Sequence, residues 1–94
     1  MKEKVLLIEP TIQPVGVDIL KDHFDIVMAP DGKEETLIHY IAENGCVAVA
    51  TRVEQITRHV IENCPSLRVI AQHGVGLDNI DVQAATDFGV KVLN

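Results

Sequence analysis

Five short apolar runs recur along this chain, separated by segments with helical periodicity, and they constrain its fold more than any other feature. They are predicted as strands at 5–9, 26–29, 46–50, 67–71 and 90–93. None shows the polar alternation of a strand with one wet face, so each is expected to be buried on both faces. This pattern predicts an α/β domain with a parallel five-stranded sheet and helices on both faces.

Two strand orders fit this pattern. Right-handed crossovers leave few topologies for alternating strands and helices. The flavodoxin-like order 2-1-3-4-5 is preferred, and a Rossmann half with order 3-2-1-4-5 is the alternative, which the sequence separates poorly from the first. A sheet that ends on its last strand at Leu93, with no helix to cover it, is interpreted as incomplete at the C-terminus.

Four helices are predicted between the strands. The first helix carries Val15, Ile19 and Leu20. The second, at 33–44, ends before Gly45, and its apolar stripe is Leu37, Ile38, Ile41 and Ala42. The third follows Thr57 as its N-cap, and the fourth, at 80–88, ends at Gly89 with Val82, Ala85 and Phe88 on one side. Acidic first turns, an N-cap threonine and C-terminal glycines are ordinary start and stop signals.

Composition excludes several classes of function. Apolar residues make up 47% and charged residues 23% of the 94 residues, which suits one folded domain. A net charge of −6 without a basic or aromatic cluster makes nucleic acid and anionic membranes poor partners.

The N-terminal run at 5–8 is too short for a signal peptide, so a cytoplasmic location is expected. Cys46 and Cys64 form no metal-ligand array and are predicted to be small core residues.

The stretch RVIAQHGVGLDNID, residues 68–81, places Gly74 and Gly76 between the fourth strand and a helix start at Asp78, Asn79 and Asp81. Backbone amides that gather at such a turn can hold an anion. The dinucleotide fingerprint GxGxxG is only a weak match, because Asn79 stands at its third glycine and the fingerprint normally follows the first strand. Plain turn chemistry is the alternative for these glycines.

Two further side chains fall near the same edge of the predicted sheet. Arg52 follows the third strand, and its planar guanidinium suits a carboxylate or a phosphate. His73 lies beside the glycines and could donate to an anion. A solvated arginine and a structural histidine are the alternative interpretations.

Other uses of this fold are not supported by the sequence. No aspartate of the receiver-domain kind ends the third strand, and no aromatic pair that could bind a flavin is present. No catalytic or metal-ligating set of residues emerges at usable spacing.

The segment HGVGLDNIDVQAATDFGVKVLN, residues 73–94, resembles the D-isomer-specific 2-hydroxyacid dehydrogenases, in which G-x-G-x-D-N-[IV]-D is followed by two alanines and G-[IV]-x-V-x-N. Upstream, Pro14-x-Gly16, Arg52 followed by Ile56-Thr57, and Pro65-x-Leu67-x-Val69-Ile70 are similar to that family's first half. The resemblance covers nearly the whole chain and looks closest to the phosphoglycerate dehydrogenase-like branch.

The resemblance implies that residues 1–94 are the N-terminal segment of the substrate-binding domain, with the NAD-binding Rossmann domain and the catalytic residues outside this chain. It implies that the amides of Gly74, Val75 and Gly76 hold the substrate carboxylate, that Arg52 approaches the substrate's distal end or phosphate, and that Val75 lies near the nicotinamide. The position of His73 varies in the family, so the resemblance assigns it no role.

We therefore expect the substrate-binding lobe of an NAD-dependent oxidoreductase acting on a small anionic 2-hydroxy or 2-oxo acid similar to 3-phosphoglycerate. The full-length enzyme is expected to be a homo-oligomer, and this chain alone is expected to be inactive. The alternative is a stand-alone α/β module that binds a small anion or a protein without catalysis.

Overall fold

The computed structural model describes residues 2–8, 23–72, 76 and 78–93. The elements in these ranges are β1 (Lys4–Ile8), β2 (Asp25–Ala29), α1 (Glu34–Asn44), β3 (Ala48–Thr51), α2 (Arg58–Glu62), β4 (Val69–Gln72), α3 (Val82–Asp87) and β5 (Lys91–Leu93). The predicted first loop and the first helix, with Val15, Ile19 and Leu20, lie outside the described residues.

The sheet has the order β2-β1-β3-β4-β5, and every neighbouring pair is parallel. The flavodoxin-like order is thereby confirmed and the Rossmann half is wrong. In this order the carboxyl ends of β3 and β4 lie side by side, with Thr51 directly opposite Gln72. The segments that follow these two strands must therefore leave the sheet next to one another.

Strand residues alternate between two apolar clusters because successive side chains point to opposite faces. Leu6, Ile8, Val49 and Ile70 join Leu37, Ile41, Val60, Ile61, Ala84 and Ala85 in the larger cluster, so α1, α2 and α3 all pack on one face. Val5 and Leu7 form a smaller cluster on the other face, against Phe24, Ile26, Ala48 and Ala50. The three helices in the described ranges therefore all cover the same face of the sheet.

Helix ends largely follow the sequence signals. The Thr57 hydroxyl accepts a hydrogen bond from the Val60 amide at 3.4 Å, which confirms Thr57 as the N-cap of α2. Gly45 adopts a left-handed conformation, with φ 65°, after α1. The Thr57 hydrogen bond and the left-handed Gly45 each satisfy backbone groups that the helix leaves unpaired.

Helix α3 differs from the prediction in its bounds and in its buried face. It begins at Val82, because the Asp81 carboxylate caps it by accepting from the Ala84 amide at 2.9 Å. Its buried residues are Ala84 and Ala85, whereas Val82 is 41% exposed and Phe88, beyond the last helical residue, is 49% exposed. Of the predicted stripe, Ala85 is confirmed as buried, whereas Val82 and Phe88 are wrong: Val82 is in the first turn and exposed, and Phe88 follows the last helical residue.

Both cysteines are buried core residues, as predicted, although Cys46 lies before β3 rather than within it. None of the helices in the described ranges is long and apolar enough to cross a membrane.

Candidate functional site

A surface cleft lies at the carboxyl ends of β3 and β4, where ligands bind in open α/β sheets. Its volume is about 310 Å³, and its lining residues are Arg52, Val53, Gln55, Gln72, Gly76, Asp78 and Asn79. Arg52 and Gly76, two of the predicted site residues, thus share one cleft although they are far apart in sequence. The other predicted residues, Gly74, Val75 and His73, lie outside the described part of the chain.

Gly76 has a φ of 84°, a left-handed conformation that residues with a Cβ rarely adopt. A Cβ at this position would meet no atom within 4 Å, so the glycine is required by the backbone conformation and not by crowding. The open space above Gly76 also lets a ligand approach the backbone closely.

The Arg52 side chain is exposed, and its guanidinium takes part in neither of the ion pairs among the described residues, Arg58–Asp87 and His59–Glu35. Its backbone, in contrast, is fixed on both sides. The Arg52 amide donates to Glu54 Oε1 at 2.8 Å, and the Arg52 carbonyl accepts from Gln72 Nε2 at 2.8 Å. The segment is therefore held by its main chain, which leaves the cationic group available for an anion.

Gln72, the last residue of β4, organises the floor of the cleft. Its side chain is buried with 7% exposure, and both ends of its amide are used. Besides the bond to Arg52, Gln72 Nε2 donates to Asn79 Oδ1 at 2.9 Å, while Gln72 Oε1 accepts from Thr51 Oγ1 at 2.6 Å and from Asn79 Nδ2 at 3.1 Å. A buried amide with all of these partners orders the groups around it.

Asn79 completes the connection to the segment after β3. Its Nδ2 donates to the Glu54 carbonyl at 2.8 Å, and its own carbonyl accepts from the Ile56 amide at 2.8 Å. The Ile56 carbonyl in turn accepts from the Asp81 amide at 2.9 Å, so 79–81 pairs in parallel with Ile56 as a short bridge beyond the sheet. Of the predicted helix start at Asp78, Asn79 and Asp81, Asp81 is confirmed as the N-cap of α3, whereas Asp78 and Asn79 lie in the turn before it.

Sequence reasoning missed Thr51, Gln72 and Asn79 as site residues. A polar residue at the end of an apolar run was the available signal for Thr51 and Gln72, yet such a residue is usually solvated. Only the pairing of β3 with β4 places Thr51 opposite Gln72 and buries both.

Neither cysteine has the character of a reactive nucleophile. Burial raises the pKa of Cys64 to about 11, with a further contribution from nearby Cys46, and burial also raises the pKa of the Cys46 thiol. Because the thiolate is the nucleophilic form, both thiols are expected to be inert near neutral pH. Among the described residues, no group of His, Cys, Asp and Glu side chains could hold a metal ion.

Comparison with known proteins places this chain in a family. The family model described as "D-isomer specific 2-hydroxyacid dehydrogenase, catalytic domain" matches residues 5–94. A glyoxylate reductase from Pyrococcus horikoshii is 38% identical over 97 residues, which cover 100% of this chain and 28% of that protein. A D-3-phosphoglycerate dehydrogenase from Methanocaldococcus jannaschii is 35% identical over 91 residues, covering 97% of this chain and 17% of that protein.

A solved structure agrees in fold. The NAD⁺-bound 3-phosphoglycerate dehydrogenase of Entamoeba histolytica superimposes with a TM-score of 0.82 at 24% identity, covering 98% of this chain and 32% of that chain. The present chain thus spans less than a third of the length of each of these proteins. Since the family model matches nearly every residue, the chain belongs to the D-isomer-specific 2-hydroxyacid dehydrogenases.

Proposed function

We propose that residues 1–94 are the N-terminal segment of the substrate-binding domain of an NAD-dependent D-2-hydroxyacid dehydrogenase. The observation that carries the proposal is the cleft shared by Arg52 and Gly76, in which the guanidinium has no ion-pair partner among the described residues. The left-handed backbone of Gly76 and a guanidinium without an ion pair among the described residues suit a small acid that bears two anionic groups.

In this proposal the amides of Gly74, Val75 and Gly76 hold the substrate carboxylate, and Arg52 neutralises the group at the distal end. A volume of about 310 Å³ is near the lower limit for small-molecule pockets. The cleft is large enough for a small acid. The cofactor is proposed to be held mainly outside this chain, with Val75 approaching its nicotinamide.

The reaction proposed for the longer protein is hydride transfer between the C2 carbon of the acid and NAD, which supplies the hydride acceptor when bound. The part assigned to these residues is to bind and orient the acid. Orientation of this kind lowers the barrier because the reacting atoms are already aligned. No acid or base for the proton transfer is assigned to this chain, and the chain alone is expected to form no NADH from NAD and 3-phosphoglycerate.

The nature of the distal group separates two substrate classes. Proteins similar to this chain include glyoxylate reductases, whose named substrate has a single anionic group, and D-3-phosphoglycerate dehydrogenases, whose named substrate carries a phosphate. The exposed Arg52 guanidinium favours the phosphorylated class for this chain, because a dianionic phosphate gains most from a guanidinium.

Titration of the chain with 3-phosphoglycerate and, separately, with glyoxylate tests this proposal. Amide resonances of 74–76 and the Arg52 side-chain resonance are followed by NMR. We expect Arg52→Met to weaken 3-phosphoglycerate binding by about tenfold, since a charged hydrogen bond contributes roughly 1.5–3 kcal/mol, and to affect glyoxylate binding less. The control is Arg68→Met, which removes the same charge just before the amino end of β4, at the end of the sheet away from the cleft.

Two results would contradict the proposal. If 74–76 do not respond to either acid at high concentration, the binding assignment is wrong. If Arg52→Met and Arg68→Met weaken 3-phosphoglycerate binding equally, Arg52 acts only through long-range charge.

A further inference from the structure

We propose that Gln72, Asn79 and Glu54 are positioning residues that set Arg52 at a fixed place opposite Gly76. This inference rests on the proposed function, since it assigns residues that support the substrate cleft. The evidence is a closed ring of hydrogen bonds, called the polar ring below. Gln72 Nε2 donates to the Arg52 carbonyl, and the Arg52 amide donates to the Glu54 carboxylate. Asn79 Nδ2 donates to the Glu54 carbonyl, and Asn79 Oδ1 accepts from Gln72 Nε2, which closes the ring.

The closure of the ring is what positions Arg52. Its members come from three places in the chain: the end of β4, the segment after β3, and the turn before α3. A single hydrogen bond would leave each segment free to rotate about it. Because Arg52 is bonded through both its amide and its carbonyl, the ring fixes its Cα and the direction in which its side chain leaves the main chain.

The ring also fixes the distance between the two sides of the cleft. Asn79 lies three residues after Gly76 and holds the main chain at Glu54 and Ile56. Residues on both sides of the cleft are thereby joined below it by side-chain and main-chain bonds. A misplacement of about 1 Å at a substrate contact can reduce catalysis by two orders of magnitude, so this spacing matters for a cleft that must hold both ends of a small acid.

Two neighbours hold the ring from outside. Thr51, with 3% exposure, donates to Gln72 Oε1 and so orients the amide that serves the ring. Gly32, in the loop after β2, lies against the Glu54 side chain so closely that a Cβ at Gly32 would collide with it. The absence of a Cβ at Gly32 therefore leaves room for the Glu54 side chain that accepts from Arg52.

The test compares variants that carry the same charge but differ in the ring. Glu54→Ala and Glu54→Gln both remove the negative charge beside Arg52, but only the glutamine keeps an oxygen that can accept from the Arg52 amide. We expect faster hydrogen exchange of the Arg52 amide and about tenfold weaker 3-phosphoglycerate binding for Glu54→Ala, since small displacements of a binding group cost roughly this much or more. Glu54→Gln should restore both.

Gln72→Met tests the buried half of the ring at nearly constant volume. It should speed exchange of the Arg52 and Ile56 amides and weaken 3-phosphoglycerate binding, measured at a temperature where urea titration shows the variant to be fully folded. Gln83→Met, which makes the same change on the exposed face of α3, is the control and should leave both measurements unchanged.

The outcomes separate this inference from the proposed function. If the parent chain binds 3-phosphoglycerate and Glu54→Ala binds it as well as Glu54→Gln, the positioning role is overturned while the function stands. If the parent binds neither acid, the assigned function is wrong. The positioning role of the ring is then tested only by the rate of hydrogen exchange at the Arg52 amide. Equal Arg52 amide exchange in Glu54→Ala, Glu54→Gln and the parent would overturn the positioning role in that case too.

Discussion

The apolar core on the helix face of the sheet and the polar ring at the carboxyl ends of β3 and β4 are adjacent, yet different forces hold them. Core residues such as Leu37, Ile41 and Val49 are fully buried and gain free energy roughly in proportion to the apolar area they remove from water. The ring gains directional hydrogen bonds among Gln72, Asn79 and the main chain. The core tolerates changes of shape better than changes of volume, whereas the ring depends on which atom donates and which accepts.

The difference teaches how a small domain places a binding group. Apolar packing is non-directional, so it fixes the layers of the fold but not the direction of one exposed side chain. A closed set of hydrogen bonds specifies direction. The core therefore supplies most of the stability, and the ring supplies the position of Arg52 relative to Gly76.

The strongest test of this division is Ile41→Ala, which removes a fully buried side chain from α1. We expect a loss of about 2–5 kcal/mol in the free energy of unfolding, because the cavity adds to the lost transfer free energy. Urea denaturation measures the loss. Arg52 amide exchange, measured under conditions where the variant stays folded, should remain at the parent rate. A faster hydrogen exchange at the Arg52 amide in the folded variant would mean that the core and the ring are not independent.

Thr51→Val tests the ring with little change in volume. The variant loses the hydroxyl that donates to Gln72 Oε1 at 2.6 Å, and we expect a loss of about 1.5 kcal/mol, at the upper end for a neutral hydrogen bond. Thr86→Val, on the exposed side of α3, is the control. Equal stability of Thr51→Val and the parent, in the same urea experiment, would indicate that Asn79 alone orients the Gln72 amide.

Thr57→Ala sharpens the comparison at a helix end that belongs to neither region. Thr57 caps α2, whose Val60 and Ile61 reach the core, and its hydroxyl also bonds to the Glu34 carboxylate. We expect a loss of about 1 kcal/mol, the usual cost of removing a threonine cap. Thermal unfolding should report this loss, while the amides of Arg52 and Ile56 keep their parent exchange rates. Thr57→Ser, which keeps the hydroxyl, should recover most of the stability.

The smallest effect is expected for Asp87→Asn, which removes a surface ion pair remote from both regions. The Arg58 guanidinium, 2.7 Å away, and the Gln83 amide lower the pKa of the Asp87 carboxyl. A lowered pKa contributes stability above the unfolded value of 3.8, and this contribution is lost as the pH falls through the folded value. The variant should therefore lie slightly below the parent in melting temperature at pH 7 and converge with it in acid.

High salt should also narrow the difference at pH 7, because exposed ion pairs are screened. A gap that persists in acid and in high salt would show that Asp87 contributes through its hydrogen bonds with Arg58 and Gln83 rather than through its charge.

Sequence periodicity predicted most of the described fold. The apolar runs at β1 to β5 predicted the parallel sheet and left two strand orders, of which the structure confirmed the preferred one. Thr57, Gly45 and the buried cysteines were assigned correctly. These features depend on local periodicity and on rules of chain connection, both of which a sequence contains. In α3 only Ala85 of the predicted stripe is buried, because the helix ends at Asp87 and Phe88 lies beyond it. Periodicity alone does not report where a short helix ends.

The candidate site was less predictable. Arg52 and Gly76 were singled out from their places after β3 and β4, and they do line one cleft. Their contact with a substrate stays a prediction, as do the roles of Gly74 and Val75. Thr51, Gln72 and Asn79 were missed, since each is an ordinary polar residue until its partners are known.

By itself, then, the sequence determined which segments are strands, which edge of the sheet carries the anion-binding candidates, and which family the chain resembles. Only the tertiary structure decided that Gln72 and Asn79 close a ring around the Arg52 main chain. The physical reason is that apolar burial is written residue by residue along the chain, whereas a hydrogen-bond ring requires donors and acceptors from three segments whose proximity exists only after the sheet has formed.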